Sequence, residues 1–459
     1  MMKKKWGNRT KKAAVPVPKK KEPPKPYMKK DDKRTKAVKL GYKKVVKTDM
    51  YDEPKPIAPV ARFNAAGDPI MATTERARFN AAGDPIMAEG IIEEYERDYN
   101  FLYHGTTCRA RFFDSMRFSL PDVSEAAVAE VWMKLASEDS DILLSDCFDL
   151  KDDLRLGDWG YIDMLRVMSE HFLGEETNEA VLLQMFVLTQ SGYKVRLARS
   201  GDKLILLVPF RTDLYTYPYF ILNDGKKYYI LDKEARTQSR TYQIYETSFP
   251  REKTASLKMP GTPKLGRERG TQKLFQSKRY QDTFAEVVTN KNLIDFYNNY
   301  PVSGNWDDYV RASLSEEIKN TLYPALRAQI SGKNKLDAAN ILMNFVQTAF
   351  QYQTDQEQFG YERPLFGDET FYYPYSDCED RSILFAILVR ELIGLDVVLL
   401  HYPQHLATAV NFGDEEVYGS YFVIDGKKYV VSDPTYIGAP VGECMPQFQN
   451  SSAEIVKIN

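Results

Sequence analysis

Apolar positions recur at helical spacing in two stretches of the C-terminal third of the chain. Residues 334–352 carry one apolar face with a period of about 3.6, formed by Leu336, Ala339, Ile341, Leu342, Phe345, Val346, Ala349 and Phe350. The polar run SDCED then leads into a second series, formed by Ile383, Leu384, Ile387, Leu388, Leu392 and Ile393 and closed by Gly394. We predict two helices, the first packed against the core that contains the second.

The second predicted helix begins at one of two caps. Ser376 with Glu379 three residues later fits a capping box, and Asp377 with Asp380 fits the same pattern one position on. Either choice places Cys378 in the first turn of the helix. Unpaired amide groups and the helix dipole favour an anion there, which lowers the pKa of a thiol and offers a backbone N–H to an oxyanion. The three acidic neighbours oppose a thiolate, so a nearby imidazolium is needed to stabilise it.

Strand-like alternation follows this helix. Apolar and small residues alternate from Leu406 to Asn411, so His405 stands at the start of a strand. The segment YFVIDGKKYVVSDP predicts a hairpin with a type I′ Asp-Gly turn, whose second strand ends at Asp433. A sheet edge beside a helix N-terminus allows a Cys–His pair to meet within about 3–4 Å. We therefore expect Cys378 as nucleophile, His405 as base and Asp433 as the acid that orients the imidazole.

The first half of the chain repeats this order of elements. Residues 178–232 align with residues 378–433: NEAVLLQMFVLTQSGYKVRL answers CEDRSILFAILVRELIGLDVVL, and YFILNDGKKYYILD answers YFVIDGKKYVVSD. Asn178 and Lys203 stand where the second half has its cysteine and histidine, and only Asp232 is matched. We predict a degenerate copy without nucleophile or base. A chance similarity between two segments of helix and strand is the alternative.

These patterns divide the chain into five parts. We predict a disordered Lys- and Pro-rich tail at 1–59, a duplicated segment with short strands at 60–120, the degenerate module at 121–250, a linker at 251–271 and the catalytic domain at 272–459. The duplicated segment is ARFNAAGDPIMA, which occurs at 61–72 and again at 77–88. Two copies cannot form a solenoid.

The net charge of −2 hides a division between the tail and the rest. Residues 1–50 hold 19 Lys and Arg against 4 Asp and Glu, a balance of +15 that leaves about −17 elsewhere. Such a basic arm either is a solvated linker or contacts an anionic surface, such as nucleic acid or phospholipid headgroups. No apolar run fits an export signal or a membrane span, so the sequence predicts neither.

The cysteine spacing and the motifs missing from the sequence argue against disulfide, metal and nucleotide chemistry. The four cysteines, Cys108, Cys147, Cys378 and Cys444, include no CxxC pair, so neither a disulfide framework nor a thiolate zinc site is expected. The chain has no GxxxxGK loop, HExxH helix or GxGxxG turn after a strand. We expect neither a cofactor nor a metal.

Three motifs in order resemble the transglutaminase-like superfamily, and its bacterial cysteine peptidases in particular: SDCEDRS, YPQH before a strand, and a strand ending SDPTY. The similarity runs from about Lys335 to Pro446 and includes YQTDQEQFGYERP. It implies a papain-like α+β core, with the cysteine helix packed on an antiparallel sheet that carries the histidine and aspartate. It also implies acyl transfer from a peptide or protein substrate through a thioester, to water or to a second amine. Many bacterial members are exported.

Several alternatives stay open at this stage. His401 is the rival base, and we expect Cys444 to be structural. Gln356 or Gln358 is a candidate amide donor to an oxyanion hole. The aromatic residues Phe371, Tyr372, Tyr373 and Tyr375 either fill the core or line a cleft. The alternative function is a catalytically inactive scaffold that uses two transglutaminase-like modules as docking surfaces.

Overall fold

The computed structural model describes residues 38–39, 97–113, 116–136, 140–232, 242–245, 249 and 251–458. Apart from residues 38–39, the predicted tail lies outside the described residues, as do both copies of the twelve-residue repeat. The described part is a mixed α+β structure whose two large sheets are antiparallel. The α+β class is therefore confirmed.

The elements follow the predicted alternation of helices and strands. The first half contains strands β1 (Val38–Lys39), β2 (Arg97–Tyr103) and β3 (Thr106–Phe112), helices α1 (Glu125–Leu135), α2 (Ser140–Asp153), α3 (Asp158–Leu173) and α4 (Asn178–Gln190), and strands β4 (Arg196–Ser200), β5 (Lys203–Pro209), β6 (Tyr219–Ile221), β7 (Lys227–Ile230) and β8 (Gln243–Tyr245). The second half contains β9 (Arg269–Gln276), β10 (Phe284–Asn290), α5 (Lys291–Asn299), α6 (Trp306–Arg311), α7 (Glu316–Ile330), α8 (Lys335–Ala349), β11 (Gln351–Tyr352), α9 (Asp355–Gln358), α10 (Gly367–Tyr372), β12 (Tyr375–Ser376), α11 (Cys378–Leu392), β13 (Asp396–Tyr402), β14 (His405–Asn411), β15 (Tyr421–Ile424), β16 (Lys427–Ser432), a 3-10 turn (Pro446–Phe448) and β17 (Ser452–Lys457).

The two large sheets share one strand order. The first runs β6-β7-β5-β4-β8, and the second runs β15-β16-β14-β13-β17 with β1 added beyond β17. Each strand of the first sheet thus has a counterpart at the same place in the second. A helix precedes each sheet in the chain and packs on it, α4 on β5 and α11 on β13 and β14.

The two predicted helices of the C-terminal third are confirmed as α8 and α11. Of the two possible caps, the structure uses Asp377, whose backbone N–H donates to Oδ2 of Asp380 at 3.1 Å. After Leu392 the chain leaves the helix at Gly394, whose φ of 74° is the left-handed conformation that commonly closes a helix.

The two DGKK hairpins differ in their turns. In the second, Asp425 (φ 49°) and Gly426 (φ 78°) are both left-handed, as the predicted type I′ turn requires. In the first, Gly225 (φ 72°) is left-handed and Asp224 is not, so the type I′ prediction was wrong there. The reason is a longer connection: residues 222–226 join β6 to β7, whereas only residues 425–426 join β15 to β16.

Apolar packing separates the two faces of the second sheet. Leu406 and Val410 of β14 belong to the main core, together with α11 and α8. Ala407 and Ala409 belong to a smaller cluster on the other face, with Tyr402 of β13. The main core includes residues of both halves and of the predicted linker 251–271. The division into domains at that segment stays a prediction.

Candidate active site

Cys378 is the first residue of α11 and directly follows the helix cap. Backbone N–H groups in the first turn of a helix have no intrahelical partner, so they can stabilise an oxyanion that forms next to the cysteine. Cys378 is partly buried, whereas Cys108, Cys147 and Cys444 are buried. Taken as whole residues, Cys378 is therefore the least buried of the four cysteines.

The start of β14 lies against the start of α11 because β16 does not cover it. β16 pairs with β14 only as far as Ser432, and the following Asp-Pro cannot extend the ladder, since Pro434 has no N–H. The backbone of Leu406 is therefore available for contacts with α11. Its C=O accepts from Oγ of Ser382 at 2.8 Å, and its N–H lies near the sulfur of Cys378, where it acts to lower the pKa of the thiol.

His405 and Asp433 are brought together across neighbouring strands. Nε2 of His405 lies 2.8 Å from Oδ2 of Asp433, and the two side chains are only 9% and 3% exposed. The imidazole stacks on Phe448, with ring centroids 5.0 Å apart and planes inclined by 5°. Because Asp433 occupies Nε2, the nitrogen left to accept a proton is Nδ1. Nδ1 forms no hydrogen bond with any residue that the structure describes.

A buried glutamine fixes the chain that follows the aspartate. Gln347 of α8 is 2% exposed, and its Nε2 lies 3.3 Å, 2.8 Å and 3.1 Å from the carbonyl oxygens of Asp433, Tyr436 and Ala439. Oδ1 of Asp433 accepts from the backbone N–H of Thr435 at 2.9 Å. The carboxylate is therefore held through both oxygens and through its own backbone, which orients it toward the imidazole.

The sulfur of Cys378 is not hydrogen-bonded to the imidazole in this arrangement. Its side-chain partner among the described residues is Oε2 of Glu379, at 3.0 Å. Neighbouring residues of a strand point to opposite faces, so the side chain of Leu406 faces α11 while the ring of His405 lies with Tyr402. The structure thus pairs the predicted base with the predicted acid and attaches the nucleophile to the backbone of the next residue. The three-residue site stays a prediction.

Buried carboxyl groups surround the cysteine. Oxygens of Asp355, Asp377 and Asp380 lie within 4.8 Å of one another, as do oxygens of Asp355, Glu362 and Glu379. Oδ1 of Asp355 and Oδ1 of Asp377 are buried and have no hydrogen-bond partner among the described residues. Carboxylates so close together repel one another, so this cluster must hold protons or a hard divalent cation such as Ca²⁺. No metal was expected from the sequence, and no residue pattern there indicated this cluster.

Burial and mutual repulsion raise the pKa values in the carboxyl cluster. Burial, followed by the charge of Asp377, raises the pKa of Asp355 to about 8. The same two causes raise the pKa of Glu379 and of Asp380 well above the usual range. Burial and then the charges of Glu379 and Asp377 also raise the pKa of the Cys378 thiol. The thiol therefore keeps its proton unless an imidazolium approaches it or these carboxyl groups are neutral.

Two residues beside the nucleophile were not singled out by the sequence analysis. Arg381, one turn along α11, is 1% exposed and donates to Oγ of Ser376 and to the carbonyl oxygens of Gln347 and Phe350. Its guanidinium lies 5.3 Å from the ring centre of Tyr352. A charged residue on the buried side of an otherwise apolar helix was the signal that could have revealed it.

The rival base lies elsewhere on the sheet. His401 of β13 is 37% exposed, and its Nδ1 lies 3.5 Å from a carboxylate oxygen of Glu454. Its ring centre is 4.6 Å from that of Trp306. These contacts direct the imidazole of His401 toward β17 and α6. Cys444, expected to be structural, is 4% exposed in the smaller apolar cluster.

The proposed amide donors have other partners. Gln358 exchanges hydrogen bonds with the backbone of Tyr375, at 3.2 Å and 3.5 Å, and Nε2 of Gln356 donates to the carbonyl of Gly360 at 3.1 Å. Neither amide is directed at the sulfur in this arrangement. Of the aromatic residues before the nucleophile, Phe371 is fully buried, while Tyr375 is half-buried.

The first half places an asparagine at the position of the cysteine. Asn178 begins α4, and its Oδ1 accepts from the backbone N–H of Leu204 at 2.8 Å while its Nδ2 donates to the carbonyl of Asp202 at 2.8 Å. Leu204 is the second residue of β5, as Leu406 is of β14. The helix-to-strand link is therefore the same in both halves, but Lys203 replaces the histidine.

No protein-family model matches the chain, and comparison with curated proteins and with solved structures gave no match either. Among the described residues, no helix is both long and apolar enough to span a bilayer. The predicted family, substrate, partners and location therefore stay predictions.

Proposed function

We propose that the chain is a cysteine-dependent acyl-transfer enzyme of transglutaminase-like type, acting on peptide or amide bonds with Cys378, His405 and Asp433. The observation that carries this proposal is the buried contact between His405 and Asp433 at the start of the strand whose next residue, Leu406, has its backbone N–H near the Cys378 sulfur. A base held through Nε2, with Nδ1 left over, beside a cysteine at a helix N-terminus is the arrangement that nucleophilic catalysis requires.

The proposed reaction needs no group beyond these side chains and the substrate. Nδ1 of His405 takes the thiol proton, and the sulfur attacks the carbonyl carbon to form a tetrahedral oxyanion beside the first N–H groups of α11. The C–N bond then breaks, the imidazolium gives its proton to the departing amine, and a thioester remains. Water or a second amine attacks the thioester, and its proton passes through the imidazole back to the sulfur.

The reaction requires one rearrangement from the arrangement described. The Cys378 side chain must turn away from Oε2 of Glu379, and its sulfur must come together with Nδ1 of the His405 ring, which lies with Tyr402. Protonation of Glu379, which the raised pKa of its carboxyl favours, removes the charge that opposes the thiolate. Peptide binding next to α11 would favour the same change by excluding water.

The shared strand order also supports descent of both halves from one papain-like module. The same side-chain link from the first helical residue to the second residue of the next strand occurs at Asn178 and at Cys378. On this proposal, residues 121–250 are the degenerate copy, retained for packing or substrate docking, and residues 272–459 carry the chemistry.

Alkylation of the folded protein tests the proposal. Iodoacetamide at pH 7 should label Cys378, as detected by peptide mass mapping. Cys378→Ala should abolish the fast phase of alkylation. Cys444→Ala is the matched control and should leave it intact, because Cys444 is buried. Labelling concentrated on Cys108 or Cys147 would contradict the proposal.

A catalytically inactive scaffold is the second candidate function. It is favoured by the raised pKa of the Cys378 thiol and by the hydrogen bond of that thiol to Glu379. On that account the protein uses both modules as docking surfaces. Cys378→Ala would then retain full function in any cellular assay, whereas the enzymatic account requires loss.

A further inference from the structure

A cavity of about 530 Å³ opens next to the candidate nucleophile. Its lining includes Gln347, Phe350, Tyr352, Arg381 and Ile437, and one wall is completed by Lys278. β11, which contributes Tyr352, pairs with β12, the strand that leads into α11. The cavity therefore adjoins the chain that carries Cys378, without using the three proposed catalytic side chains.

Two cations line this cavity without a carboxylate partner. Neither Lys278 nor Arg381 forms an ion pair with any residue that the structure describes. Arg381 is buried, and its donors go to a hydroxyl and to two backbone carbonyls, so its positive charge is not matched by a bonded anion. Burial lowers the pKa of Arg381, and the charges of Tyr352, Asp380 and Asp377 oppose this shift.

Lys278 is exposed, yet its place at the cavity is fixed. Its backbone N–H donates to Oγ1 of Thr348 at 2.9 Å, and Oγ of the preceding Ser277 bonds to Oδ1 of Asn344 at 2.8 Å. These bonds fasten the end of β9 to α8, whose last turn forms the cavity wall. The Lys278 ammonium can therefore reach a bound group without ordering its backbone.

The rim offers apolar surface as well as charge. Tyr352 is 51% exposed and Ile437 is 57% exposed, so both offer apolar surface to a ligand in the cavity. A ligand with an aliphatic or aromatic portion and one anionic group would match both features. A peptide with an acidic residue has this combination.

We propose that this cavity binds a carboxylate of the peptide substrate, with Lys278 as a residue that determines specificity and Arg381 supplying positive potential behind it. The carboxylate belongs either to an Asp or Glu side chain or to the peptide's C-terminus. The inference deepens the proposed function, since it names the class of peptide that the same site accepts.

Binding to a protein without the nucleophile tests the inference. Immobilised Cys378→Ala protein is incubated with octapeptides randomised over Asp, Asn, Glu, Gln, Lys, Ala, Leu and Tyr, in C-amidated and free-acid forms, and retained peptides are sequenced by mass spectrometry. We expect Asp or Glu to be enriched over Asn or Gln about threefold at one position, or free acids over amides, with weaker enrichment at high salt.

Substitution assigns the preference to one side chain. Lys278→Gln in the same background should abolish the enrichment, and Lys278→Glu should reverse it in favour of Lys. Lys333→Gln is the matched control, because Lys333 is equally exposed but lies in the turn between α7 and α8. Equal retention of acids and amides, no retained peptide at all, or a preference unchanged by Lys278→Gln would overturn the inference. Alkylation of Cys378 is measured in a separate experiment. Failure of the enzymatic proposal would therefore be distinguishable from failure of this inference.

Discussion

Nε2 of His405 and Oδ2 of Asp433 lie 2.8 Å apart although 28 residues separate them in the chain. The contact joins the first residue of one strand to the residue that directly follows its neighbour, and both side chains are almost fully buried. A buried imidazole held through Nε2 presents Nδ1 in one orientation, which is what proton transfer from a nucleophile needs.

Removal of the orienting carboxylate should lower the rate of catalysis more than it lowers the stability of the fold. We expect Asp433→Asn to lower the rate of Cys378 alkylation at pH 7, and any turnover, by about 100-fold or more, because an amide stabilises neither the required tautomer nor the imidazolium. Alkylation kinetics measure the change, and circular dichroism checks the fold. Asp396→Asn is the control, since Asp396 forms an exposed ion pair with Lys427 on the same sheet. Equal alkylation rates for wild type and Asp433→Asn would count against Asp433 as the residue that orients the imidazole.

Neutralisation of the carboxyl next to the sulfur should have the opposite effect. Glu379 accepts the Cys378 hydrogen bond and its charge raises the pKa of the thiol, so Glu379→Gln should shift the alkylation midpoint to lower pH. The rate at pH 7 should rise at least about threefold. Glu443→Gln, at an exposed position, provides the comparison. An unchanged or higher midpoint would show that Glu379 does not control the thiol.

The carboxyl cluster should make stability depend on pH. Asp355 has a folded pKa of about 8, above its unfolded value of about 3.9, so the folded state retains a proton that the unfolded state releases. Its contribution is therefore present at low pH and is lost as the pH rises toward 8.

Asp355→Asn removes this dependence, because an amide can accept the Arg363 N–H through its oxygen without a charge. We expect the Tm of the variant to exceed that of wild type by roughly 2 °C or more at pH 8, and by less at pH 5. Thermal melts in EDTA measure the effect of protons alone. A larger gain at pH 5 than at pH 8 would contradict the sign.

The first half should stay unreactive even when it is given a thiol. Asn178→Cys in a Cys378→Ala background places a sulfur at the start of α4, next to the N–H of Leu204. Lys203 stands where the base would be, so we expect no fast alkylation at residue 178 at pH 7. Peptide mapping measures it. Fast labelling there would mean that a helix N-terminus alone activates the thiol, without His405.

The local parts of the site could be predicted from sequence, and the long-range parts could not. Periodicity and capping residues located α11, and alternation placed His405 at the first residue of β14, because these signals lie within a few consecutive residues. Asp355 joins the carboxyl cluster beside Cys378, and Lys278 lines the adjacent cavity, from segments about 20 and 100 residues away, where no local pattern indicates which charges will meet.

The rate of Cys378 alkylation as a function of pH, compared between wild type and His405→Gln, tests the central claim most directly. If the imidazole takes the thiol proton, the wild-type rate is already high at a pH well below the one at which the thiol alone would ionise, because the reactive form is the ion pair. In His405→Gln the rate should rise only as the pH approaches the elevated pKa of the buried Cys378 thiol. Superimposable profiles would contradict the account, since the sulfur would then titrate without the histidine.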